Sequence, residues 1–141
     1  MIILDTNVVS ELMKPTPDER VAGWLQRQQT LHLAITTITI GEIQFGIRIL
    51  PTGRRRKGLE EDFARFVSRG FEGRVLPYDE VAGFAYGEIA AQRHNKGREV
   101  DAVDLIIASI AKVANASVAT RNTKHFIGCG IKLIDPWQTD S

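Results

Sequence analysis

Short apolar runs alternate with helical stretches along this chain, and two of the most apolar stretches carry an aspartate. Ile2-Ile3-Leu4 leads directly into Asp5, and Asp104 directly precedes Leu105-Ile106-Ile107-Ala108. A run of three apolar residues ending in a charge reads as a short strand buried on both faces. Further β-prone runs fall at Leu31–Ile35, Arg74–Tyr78, Ser117–Thr120 and Ile131–Ile134. The stretches between them carry apolar residues at helical spacing. The order predicts an α/β fold: a short central parallel sheet of four to five strands, with helices on both faces. At 141 residues with no intervening linker, the chain reads as a single domain over 1–141.

The helical stretches carry their own punctuation. Asn7 to Met13 reads as a short helix closed by Lys14 and Pro15. Thr16-Pro17-Asp18-Glu19 predicts a helix start, with Thr16 as N-cap, Pro17 at the first helical position and Glu19 completing a capping box. Ile40, Ile43, Ile47 and Leu50 share one face of a helix whose cap lies within Thr36–Thr39. Asp79 predicts the cap of an alanine-rich helix ending near Gly97, and Asp101 the cap of the next. That last helix is apolar on almost every side, as a centrally buried helix must be.

The formal net charge is +1, with 25% charged residues, so no global field advertises a polyanion partner. Such a partner must be held by a local patch or through metal ions. The single cysteine, Cys129, has no internal disulfide partner and reads as a reduced, partly buried thiol of a cytoplasmic protein. The opening MIILD lacks the pattern of a signal peptide, and no run approaches the roughly 18 apolar residues of a membrane span.

In parallel α/β sheets, ligands bind at the carboxyl ends of the strands. Asp5 ends the first strand, Glu42 is read into the first turn of the helix after the second, and Asp104 into the first turn of the buried helix before the fourth. Each acid has a bland reading. Glu42 can close a capping box with Thr39, Asp104 can favour the positive end of its helix, and Asp5 can accept hydrogen bonds from the turn that follows. Together they weigh differently. Two carboxylates ~4 Å apart repel by roughly 4 kcal/mol at an effective dielectric of 20, so protons or a cation must compensate. Oxygen donors suit Mg²⁺ or Mn²⁺. The histidines are scattered: His32 reads as structural, His94 and His125 as surface residues. A carboxylate-held Mg²⁺ supports phosphodiester hydrolysis. Asp5 and Asp104 are then the main ligands, and Glu42 binds directly, through water, or orients the attacking water.

The chain resembles the PIN-domain nucleases, and within them the VapC-type toxins of bacterial type II toxin–antitoxin pairs, including the FitB-like branch. The resemblance rests on I-L-D-T-N-V at 3–8, T-x-x-E at 39–42, D-L-I-I-A at 104–108, V-A-T-R-N-T at 118–123, and Pro136-Trp137. It implies a PIN-like α/β fold and a Mg²⁺- or Mn²⁺-dependent endoribonuclease. It also implies a homodimer and inhibition by a small cognate antitoxin that plugs an acidic pocket. It assigns Asp5, Glu42 and Asp104 as the acidic triad, with Asn7 ordering the pocket and Thr120 lining it. Several relatives carry a fourth acid after the fourth strand, where this chain has Asn122 followed by Thr123, Lys124 and His125. An asparagine positions water or offers one carbonyl contact without adding charge, so one well-held ion is expected. Asp101 is a possible substitute acid but reads first as an N-cap, and Glu99 as a solvated loop acid.

Positive charge for RNA comes in patches. Arg121 and Lys124 flank the proposed site and are the candidate substrate contacts. Arg93, Lys96 and Arg98 form a looser group, and Arg54–Lys57 reads as a solvated face. Two rival readings are weaker. A receiver-like signalling domain needs adjacent acids after the first strand, where this chain has Thr6 and Asn7. A catalytically weak or inactive PIN fold would act only as a binding module for its partner, and the reduced acid count is what favours it.

Overall fold

A computed structural model describes residues 1–138; of the domain expected over 1–141, the last three residues lie outside the described residues. The central strand is β1 (Ile2–Leu4), and the sheet is built out from it on both sides. Flanking it are β2 (Leu33–Thr36) and β4 (Ser117–Ala119), with β3 (Val75–Leu76) and β5 (Leu133–Ile134) at the edges. All four pairings are parallel, in the order β3-β2-β1-β4-β5. The register aligns Ile3 with Ala34 on one side and with Val118 on the other.

Side chains alternate across a pleated strand, and the core divides accordingly. Ile3, Ala34 and Val118 face one cluster, with Leu105, Ile107, Ala108 and Ile89. Leu4, Ile35 and Ala119 face the other, with Val8, Val9, Trp24, Ile43, Phe63 and Trp137. The first cluster is supplied by a helical hairpin, α5 (Glu80–Asn95) and α6 (Ala102–Val113). The second is supplied by α1 (Thr6–Leu12), α2 (Glu19–Gln26), α3 (Thr37–Arg48) and α4 (Arg54–Gly70). Being covered on both faces explains why β1 could be apolar throughout. Helix α6 buries Leu105, Ile107, Ala108, Ser109, Ile110 and Ala111, as its nearly all-round apolar pattern requires. No helix among the described residues is long and apolar enough to cross a membrane.

Most caps fall where the sequence places them. Thr36 accepts from the Thr39 amide, Asp79 from Ala82, and Asp101 from Asp104. Gly97 adopts φ +68° just past α5, a conformation that glycine reaches without steric cost. Four expectations are corrected. Asp18, not Thr16, caps α2: its carboxylate accepts from the Arg20 amide, while Glu11 accepts from the Asp18 amide and holds the turn. Pro17 therefore precedes the cap and is not the first helical residue. Residues Thr30–His32 form a 3-10 turn before β2, leaving Leu31 and His32 exposed, so His32 is neither in a strand nor structural. Because β2 runs without a loop into α3 at Thr37, Glu42 falls in the second turn of α3, not the first.

Candidate active site

The sheet order reverses at β1: the chain builds outward through β2 and β3, then returns to the other side of β1 as β4. Such a switch point leaves a crevice at the carboxyl ends of the two central strands. Asp5 and Thr120 stand there, one residue beyond β1 and β4. The backbone locks their positions, since the Asp5 amide donates to the Ala119 carbonyl at 2.9 Å and the Thr120 amide to Ile134 at 2.8 Å.

Asp5 is 3% exposed and Thr120 is fully buried. Asp5 Oδ1 accepts from the Thr6 amide at 2.8 Å, so Asp5 also caps α1. Its Oδ2 accepts from Thr120 Oγ1 at 2.7 Å and from Asn7 Nδ2 at 3.2 Å. Asn7 ties the two strand ends together, because Nδ2 also reaches Thr120 Oγ1 and Oδ1 accepts from the Arg121 amide, both at 3.2 Å. The Asn122 amide completes the knot by donating to Thr120 Oγ1 at 3.0 Å. Asn122 itself is exposed.

The two other acids approach from helices. Glu42 is exposed, and its Oε1 accepts from Thr6 Oγ1 at 2.5 Å. Thr6 also meets Thr39 Oγ1 at 3.0 Å, so the Thr39 side chain joins α3 to α1 and does not close a capping box with Glu42. Asp104 is half-buried in the first turn of α6, and its Oδ2 lies 2.7 Å from Nδ1 of His125. An ionised carboxylate only accepts, so the shared proton belongs on Nδ1. The sequence placed His125 on the surface; it is half-buried and engaged with Asp104, which corrects that reading.

Burial pushes the Asp5 carboxyl up from 3.8 to about 6. The hydrogen bonds from Thr120 and Thr6 pull the other way, while the charges of Asp104 and Glu42 add to the rise. Asp104 and Glu42 are thus close enough to act on Asp5 electrostatically. Among the described residues, however, no three His, Cys, Asp or Glu side chains converge tightly enough to cage an ion by themselves.

The donors present nevertheless fit a hard divalent ion. A carboxylate offers about four lone pairs, and Asp5 uses three of them on Thr6, Asn7 and Thr120. Asp104 uses one oxygen on His125. Each acid keeps accepting capacity, and all the donors are oxygens, as Mg²⁺ and Mn²⁺ prefer. An ion that retains waters needs only one or two of these carboxylates.

The remaining candidates separate. Arg121 is exposed and lays its guanidinium 4.9 Å from the centre of the Trp137 ring. Lys124 is exposed in the 3-10 turn Thr123–His125. Arg54–Lys57 forms the first turn of α4, where Arg56 approaches Glu60 at 3.8 Å. It follows the far end of α3, which is about 18 Å long. Two features were not read from sequence: the Thr6–Glu42 bridge and the Asp104–His125 pair. Both join residues from different elements, and no local spacing announces them.

The PIN domain family model matches residues 2–127. VapC ribonuclease Y4jK of Sinorhizobium fredii is 38% identical over 138 residues, covering 98% of this chain and 99% of that protein. Toxin FitB of Neisseria gonorrhoeae is 36% identical over 137 residues, covering 97% and 99%. The crystal structure of FitAcB from Neisseria gonorrhoeae superposes with a TM-score of 0.94 at 35% identity, covering 99% of this chain and 100% of that one. The parallel five-stranded sheet with six α-helices among the described residues is the PIN fold. With profile, sequence and backbone in agreement over nearly its whole length, the chain belongs to the PIN-domain family, in its VapC-type, FitB-like branch.

Proposed function

We propose that the protein is a metal-dependent endoribonuclease, the toxin component of a toxin–antitoxin pair, hydrolysing RNA phosphodiester bonds. The observation that carries this reading is Asp5: a carboxylate 3% exposed, fixed by three hydrogen bonds, and under the charge of Asp104 and Glu42. The similarity to the VapC ribonuclease Y4jK of Sinorhizobium fredii supports the same chemistry.

Asp5 and Asp104 would hold Mg²⁺, or Mn²⁺ in its place, with Glu42 binding directly, through water, or orienting the attacking water. When bound, the ion supplies a lowered pKa for water and charge neutralisation at the phosphate. Asn7 and Thr120 keep the Asp5 carboxylate aimed. Asn122 holds Thr120 through its backbone and is itself exposed. Arg121 and Lys124 offer charge to the RNA backbone. The absence of charge at Asn122 fits one tightly held ion.

Further parts of the reading follow from the family. The whole chain acts as one PIN-like domain in the cytoplasm, as a homodimer, and is silenced by a small antitoxin occupying the acidic site. A binding-only module is the second reading, favoured by the reduced acid count, with the uncharged Asn122 after the fourth strand. RNA cleavage with and without chelator separates the two, using the wild type and Asp104→Asn. Chelator-sensitive cleavage lost in the variant supports the nuclease. A Mn²⁺-loaded wild type that leaves total RNA intact supports the binding module.

A further inference from the structure

A cleft of about 540 Å³ opens beside the acidic site, lined by Arg93, Arg98, Glu99, Asp101, Lys124 and His125. It shares two residues with the surroundings of Asp104. His125 contacts the Asp104 carboxylate, and Asp101 accepts the Asp104 amide at 3.1 Å. The cleft is therefore continuous with the site, and its size is that of a small-ligand pocket, roughly 300–1,000 Å³.

The charges lining it are not balanced. Arg93 is 6% exposed, yet its guanidinium donates to backbone carbonyls: Nε to Glu99 at 3.0 Å and Nη1 to Ile127 at 2.5 Å. Arg98 Nη1 reaches the same Ile127 carbonyl at 3.2 Å. Among the described residues, no carboxylate forms an ion pair with Arg93, Arg98 or Lys124. Neutral carbonyls satisfy hydrogen bonds without cancelling charge, and a buried cation without a counter-ion is costly. Glu99 and Asp101 line the same cleft and offset part of the charge. Asp101 is moreover committed to capping α6.

We propose that this cleft is the subsite for the RNA phosphate next to the one being cut. Arg98 and Lys124 contact that phosphate, and Arg93 acts as a fixed charge beneath them. This rests on the nuclease reading and extends it: the acids hold the scissile phosphate, and the cleft sets how the strand continues past Asp104. Arg93 is a positioning residue, since it is 6% exposed and its guanidinium is held by the Glu99 and Ile127 carbonyls.

The test measures binding, not turnover. Fluorescein-labelled single-stranded RNA is titrated by anisotropy with Asp5→Asn protein in Mg²⁺, across a potassium chloride series. Adding Arg98→Gln and Lys124→Gln is expected to weaken binding by about tenfold and to flatten the slope of log affinity against log salt by about 0.7, the share of one single-strand phosphate. Arg55→Gln, in the exposed first turn of α4, is expected to change neither. Glutamine at 98 keeps a donor for the Ile127 carbonyl. An unchanged slope in the double variant, or an equal loss in Arg55→Gln, overturns the subsite. Wild-type cleavage assayed in parallel keeps the two readings apart. Cleavage with an unaltered slope removes the subsite and leaves the nuclease; a flattened slope without cleavage does the reverse.

Discussion

His125 Nδ1 lies 2.7 Å from Asp104 Oδ2, joining the turn after β4 to the first turn of α6. The contact spends one carboxylate oxygen and leaves the other free. It also fixes the orientation of Asp104, which partners of metal-binding carboxylates commonly do. His125→Ala is expected to lower Mn²⁺ affinity by about tenfold, read by calorimetric titration. His125→Asn, whose amide can replace the Nδ1 donor, is expected to restore most of it. Equal affinity in the alanine variant and the wild type contradicts the assignment.

Asp5 makes the metal-free protein pH-sensitive in an unusual direction. Its folded value, about 6, lies above its ordinary value of 3.8. Between these values the native state holds more protons than the unfolded chain, so stability falls as pH rises through the window. The loss attributable to Asp5 is about 3 kcal/mol, complete above pH 6. Denaturant midpoints in chelator at a series of pH values measure it. Mg²⁺ is expected to raise the midpoint at pH 7 and to lose that effect below pH 6, where Asp5 takes up its proton.

Thr120→Val keeps the shape and removes the hydroxyl that serves Asp5, Asn7 and the Asn122 amide. Leaving buried partners unpaired is expected to cost about 1–3 kcal/mol. Losing the donor to Oδ2 also raises the Asp5 value further, so the midpoint of Mg²⁺ binding against pH moves upward. An unchanged pH midpoint contradicts a role for Thr120 in setting the site.

Asp101 separates cap from ligand. Its Oδ1 accepts from the Asp104 amide, and loss of such a cap costs typically about 1 kcal/mol. Asp101→Asn retains the acceptor and is expected to leave both stability and Mg²⁺ affinity unchanged. Asp101→Ala is expected to lose about 1 kcal/mol. A sharp fall in Mg²⁺ affinity in Asp101→Asn would instead make Asp101 a ligand.

What could be read from the chain was what is local. Ile2–Leu4 had to be a strand because three apolar residues ending at Asp5 have no other buried use, and α6 had to be central because its apolar residues surround it. Asp79 and Asp101 cap their helices because a cap needs only residues up to three positions away. Thr16 failed as a cap because Glu11, in the preceding helix, takes the Asp18 amide and so places the helix start two residues later. The exposure of His32 and the engagement of His125 were invisible for a similar reason. Each depends on where a neighbouring element ends, not on the residue's own spacing. Thr120 and Asn7 were named through family resemblance; their shared hydrogen bonds to Asp5 arise only from the pairing of β1 with β4.

The proposed hydrolysis requires Asp5, Glu42 and Asp104 to serve one divalent ion. Crystals grown with Mn²⁺, measured at a wavelength where manganese scatters anomalously, locate that ion directly. One strong anomalous peak in contact with the Asp5 and Asp104 carboxylates is expected, lost in Asp104→Asn. A peak elsewhere, or two equally strong peaks in the RNA-free protein, contradicts it.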